Sequence, residues 1–175
     1  MLRIIDNRGR FFLLAFAIIF ILASVYFVYR NEPARELFVS KEGFSFTYSP
    51  KLFPFVFDAP PVLLLQSNEK SPAVRIVITI YSATEEKAVS DEKFTFERIT
   101  HETISKEVRK KIGSLNGTFL EARSREREDY MFLSAEGEDR TVFFNLIFLN
   151  TMGESALDKS RTVREFYSII KSLEI

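Results

Sequence analysis

Cysteine is absent from this chain, which excludes a disulfide scaffold, a thiolate nucleophile, a cysteine-ligated zinc or iron–sulfur centre and lipoprotein processing. Tryptophan is absent too, and a lone histidine, His101, cannot build a histidine-rich metal site. Charge of one sign is not in excess. Lys and Arg total 24 and Asp and Glu total 24, so no global field draws nucleic acid. There is no glycine-rich phosphate loop, no His-Glu-x-x-His and no Gly-x-Ser-x-Gly. Internal repeats and low-complexity tracts are missing as well. These absences close the common routes to catalysis. The expectation is a non-enzyme with no cofactor, no metal and no catalytic residue.

What the chain does have is one long apolar run, FFLLAFAIIFILASVYFVY, over residues 11–29. A helix of that length reaches roughly 28 Å at about 1.5 Å per residue, close to the thickness of a bilayer core. Ser24 can bond back to a carbonyl one turn earlier, and Tyr26 and Tyr29 suit a headgroup layer. A cleaved signal would have a shorter apolar core and a small-residue cleavage site, and Arg30-Asn31-Glu32-Pro33-Ala34 offers no good one. The expectation is an uncleaved, single-pass signal-anchor. Arg3, Arg8 and Arg10 in the tail over 1–10 favour a cytoplasmic N-terminus. The C-terminal domain would then be extracytoplasmic, or periplasmic in a bacterium. Small residues Ala15, Ala17, Ala23 and Ser24 are the candidates for close packing of the span in lipid.

Residues 30–36, RNEPARE, read as a short linker, and residues 37–175 as one soluble domain with a phenylalanine-rich core. Residues 42–48 alternate aromatic and polar, the mark of a half-buried strand ended by Ser49-Pro50. Pro54 demotes residues 52–57 to an edge strand or an irregular crossing. Residues 62–66 and 74–81 pair as a hairpin, with Val74, Ile76, Ile78 and Ile80 on one face. Residues 83–93 are polar, a loop or short helix. Ile104, Val108 and Ile112 recur every four residues before Gly113, with cations in the last turn, and predict a helix over 95–112. Strands follow over 118–125, 130–135 and 141–150. The last, TVFFNLIFLN, is apolar on both faces apart from Asn145 and fits a central strand. Thr162-Val163-Arg164-Glu165 has capping-box spacing, and Val163, Phe166, Tyr167 and Ile170 form the stripe of a closing helix. The expected fold is α+β. A single transmembrane helix precedes one mainly antiparallel sheet of about six strands with packed helices.

Gly43-Phe44-Ser45-Phe46-Thr47-Tyr48-Ser49-Pro50, the mid-chain helix before a three-stranded meander, and the ending from Glu165 to Ile175 together resemble PsbP-like domains. The resemblance covers roughly residues 40–175. It implies an α/β/α sandwich used for protein binding, as an accessory or assembly subunit of a larger complex. That group shares no catalytic residues to carry over. The segment from Pro54 to Pro60-Pro61 departs from its pattern.

His101 sits at the edge of the apolar stripe of the expected helix, where packing suits it better than catalysis. Strand alternation would put Glu121, Arg123, Arg125 and Arg127 on one exposed face, a candidate docking face for an acidic partner or anionic headgroups, or else a solvated edge. Lys106 to Lys111 reads as a cationic helix end. Asn116-Gly117-Thr118 matches a glycosylation sequon, but Asn-Gly is also a tight-turn pair between helix and strand, and a turn is expected there unless the source is eukaryotic and secretory. The function these features favour is an anchored accessory or assembly subunit that binds a larger membrane protein complex. The alternative is a membrane-tethered module for a small ligand or lipid. The expected partners are therefore the bilayer and membrane-complex subunits, and no nucleic acid.

Overall fold

The computed structural model describes residues 16–23, 34–41, 43–67, 74–149 and 156–174. The chain divides into two compact units, Met1–Ala34 and Arg35–Ile175. In the first, a helix (α1) covers 16–23, with every side chain exposed. Among the described residues no helix is long and apolar enough to cross a membrane. This corrects the single-pass anchor expected over 11–29 and the membrane localisation that hung on it. Residues 11–15 and 24–29 lie outside the described residues.

The second unit is built mainly of strands. Its principal sheet has seven, all antiparallel. These are β3 (Phe55–Ala59), β4 (Val62–Gln66), β5 (Val74–Tyr81), β9 (Thr141–Leu149), β8 (Arg127–Ala135), β7 (Leu115–Arg123) and β6 (Thr103–Ile112), in that spatial order. β1 (Glu36–Val39) and β2 (Ser45–Tyr48) make a separate two-stranded ribbon. The expectation of about six strands behind a spanning helix is thus corrected to nine strands in two sheets among the described residues. β1 starts at Glu36, the last residue of the expected linker, and otherwise falls within the expected domain. Only Phe38 of its four residues packs inward, while Leu37 and Val39 stay exposed, so it shows no apolar period.

The alternation of β5 and β9 explains why both faces of the sheet are covered. Val74, Ile76 and Ile78 point to one face, together with Val142, Phe144, Leu146 and Phe148. The helix α3 (Ala156–Lys171) and the β1–β2 ribbon close that face through Phe166, Ile169, Ile170 and Phe46. The opposite face carries Leu120, Ala122, Met131, Leu133 and Phe143. The helix α2 (Glu85–Phe94) and a wide π-type turn, Thr95–Ile99, cover it with Ala88, Val89 and Phe96. α2 begins where Thr84 caps the Lys87 amide and where Glu85 and Glu86 meet the positive helix end. β9 is the fourth of seven strands, and eight of its nine residues are buried.

The largest local departure is at 95–112. The expected helix is replaced by the π-type turn followed by strand β6. A spacing of four is shared by a helix face and a strand face, because four is twice the strand period of two and close to the helical period of about 3.6. A bulge at Ser105, where the register shifts between Ile104 and Lys106, then separates Ile104 from the others. Ile104 packs on the α2 face and Ile112 on the α3 face. Gly113 is not a helix cap. It is the first of two turn residues between β6 and β7, with φ +62°, as a type II′ hairpin requires. Asn116-Gly117-Thr118 lies inside β7 and not in a turn. α3 starts ahead of Thr162, so that residue is interior and does not cap it.

Candidate functional site

β6 ends the sheet, and α3 crosses the adjoining face beside its last residues. Between them lies an open groove of about 550 Å³, lined by Lys110, Lys111, Ile112, Arg164, Tyr167, Ser168 and Lys171. No carboxylate lines it. Lys110 is held in place: its ammonium donates to the Tyr167 hydroxyl at 2.9 Å and lies 4.4 Å from the Tyr167 ring centre and 4.8 Å from that of Phe119. Lys111, Arg164 and Lys171 are exposed, and among the described residues none of the four cations is in an ion pair. Lys171 also complements the negative end of α3, and lysines on an edge strand discourage pairing with another copy. Neither role accounts for Arg164 sharing the same groove.

A second cluster is buried under the π-type turn. Arg127 donates through Nε and Nη2 to the two carboxylate oxygens of Asp129, each at 2.6 Å, and Asn145 Nδ2 donates to Asp129 Oδ1 at 2.8 Å. Asp129 is fully buried. Glu102, also buried, accepts from Thr100 Oγ1 at 2.7 Å, while its other oxygen stands 3.5 Å from Arg127 Nε with no hydrogen bond. Burial, then the Asp129 charge, pushes the Glu102 carboxyl above its ordinary range against the opposing Thr100 bond and Arg127 charge. Burial likewise raises Glu92, which accepts from the Tyr81 hydroxyl at 2.5 Å, and burial with that same bond raises Tyr81. The Arg127 guanidinium is desolvated, yet its bonds to Asp129 hold its pKa above the usual value. The Arg127–Asp129–Asn145 bonds tie β8 to β9, which makes the cluster a structural lock, although one oxygen each of Glu102 and Asn145 has no hydrogen bond among the described residues. Among the described residues no group of three or more His, Cys, Asp or Glu is placed to hold a metal ion.

The residues singled out from sequence are scattered. Ala17 and Ala23 lie exposed on α1, and Ala15 and Ser24 lie outside the described residues. Glu121 and Arg123 lie on the α3 face, where Glu121 pairs with Lys106 at 3.0 Å and Arg123 with Glu128 at 2.6 Å. Arg125 is in the turn between β7 and β8. Arg127 is on the other face, partly buried and bonded to Asp129, because the turn at 124–126 resets the alternation. The four do not share a face. His101 is exposed, with φ +54°, in the loop before β6. The groove residues were visible only in part: Lys110 and Lys111 resembled a helix end, Tyr167 a core position, and Arg164 gave no signal. Asn145 was the visible sign of the buried cluster, a lone amide in an apolar strand.

No family model matches the chain, and no curated protein matches it. Among solved structures, a crystal structure of a protein from Bacteroides thetaiotaomicron is similar at a TM-score of 0.50 and 16% identity, over 79% of this chain. The chain spans 47% of that neighbour's length. The likeness shows the fold alone, and none of these findings bears on the resemblance to PsbP-like domains.

Proposed function

We propose that the domain acts by binding and not by turnover, and that the groove between β6 and α3 receives an anionic surface of a partner protein. The observation that carries this is the segregation of charge. A chain with equal numbers of cations and anions gathers around one groove four cations that have no ion pair among the described residues. Lys110 is pre-set by Tyr167 and Phe119, so it loses little freedom on binding. The groove is open and cationic, unlike the enclosed apolar cavity that a small lipid or apolar ligand needs, which favours a protein partner over the small-ligand alternative.

The test is fluorescence anisotropy of a labelled glutamate-rich peptide with the full chain and with Lys111→Glu/Arg164→Glu. Both substituted side chains are exposed, so folding is preserved. The double variant is expected to bind about tenfold or more weakly, and raised salt is expected to weaken the parent chain alone. Equal affinity of parent and variant overturns the reading.

A further inference from the structure

We infer that β6 is a strand-addition edge, which takes an acidic extended segment of the partner as an eighth strand of the sheet. This rests on the groove reading above and goes further, by assigning how the partner is held. Among the described residues nothing pairs with the outer side of β6. After the bulge its pairing with β7 runs without interruption from Lys106 to Ile112. The two-residue turn at Gly113-Ser114 makes Ile112 and Leu115 the hydrogen-bonded closing pair, and alternation then turns the main-chain groups of Lys111, Arg109 and Glu107 outward. Three successive outward positions form a template for another strand.

The two edges of the sheet differ in a way that selects this one. β3 is five residues long and lies between Pro54 and Pro60, which blunt it as a pairing edge. β6 has ten residues and no proline. An incoming strand on β6 passes Val108, 39% exposed, between Lys106 and Lys110 on the α3 face. Beyond Lys110 it reaches Arg164 and Lys171 in the groove. A partner strand that fits therefore turns its acidic residues to the α3 face, toward Lys110 and the groove cations. The same cations repel a second β6, so a copy of this chain is the wrong occupant.

The experiment uses the full chain and two peptides of alternating glutamate and valine, one plain and one N-methylated at every second amide. N-methylation keeps the charge and removes the main-chain donors. The plain peptide is expected to bind about tenfold more tightly and to slow hydrogen exchange of the Glu107, Arg109 and Lys111 amides. Equal binding of both peptides with those amides unprotected overturns strand addition and leaves the groove reading standing. Failure of both peptides to bind overturns the two together. Tighter binding of oligouridylate than of the plain peptide overturns the assignment to an acidic protein segment.

Discussion

Arg127 and Asp129, two residues apart on β8, grip each other through two parallel N–H···O bonds of 2.6 Å, with the carboxylate fully buried and the guanidinium 29% exposed. Such a fork joins geometric specificity to charge. Removing one partner strands the other. Arg127→Met is therefore expected to cost about 3 kcal/mol, the low end for a broken buried pair because the arginine is partly solvated. Urea unfolding at neutral pH measures it, and a loss under about 1 kcal/mol would show that Asp129 is satisfied without the arginine.

The neighbouring Glu102 sets a pH dependence whose sign is fixed by the direction of its shift. Its folded-state pKa lies above the ordinary 4.5, so the folded chain holds the proton more tightly than the unfolded one. Stability is then lost as pH rises from about 4.5 through the raised value. Glu92 adds in the same direction. Glu128 acts oppositely. Burial raises its pKa, but bonds from Lys159 and Tyr130 outweigh that and lower it, so its contribution is present above 4.5 and lost on acidification. Denaturation midpoints across pH 4.5 to 7.5 should show a smaller decline in Glu102→Gln than in the parent. Parallel curves would mean that Glu102 is not the titrating group.

Gly117 is needed for close approach and not for a turn. A Cβ there would stand 1.9 Å from the Leu133 carbonyl oxygen and 3.0 Å from the Phe132 ring. Gly117→Ala must push β7 from β8, at an expected cost of about 1–3 kcal/mol or more. Amide exchange should rise first at Gly117 and Ser134, which are paired in the register. Unchanged stability would require an adjustment of β7 that keeps its pairing with β8.

Phe144, wholly buried in the central strand, contacts the core on the α3 face and lies 6.4 Å ring to ring from Phe132. Phe144→Ala is expected to cost about 3–5 kcal/mol by opening a cavity. Thermal or denaturant melts measure this directly, and a value near that of surface substitutions would contradict the burial of β9.

What the sequence determined unaided is what depends on a short, uninterrupted pattern. The β4–β5 hairpin follows from two apolar runs around a polar connection. The place of β9 follows from apolar residues on both its faces, and the packing face of α3 from Phe166 and Ile170 recurring at helical spacing. Missing cysteine bounded the chemistry without any structure at all. Only the tertiary structure decided the state of 103–112, because its spacing of four suits two periods and pairing with β7 resolved the choice. It likewise separated Arg127 from Arg123, since a three-residue turn shifts which face a side chain takes. The groove itself was out of reach of local reading. Lys110 meets Tyr167 across 57 residues of chain, and such contacts arise when distant elements pack together, not from the spacing of neighbours.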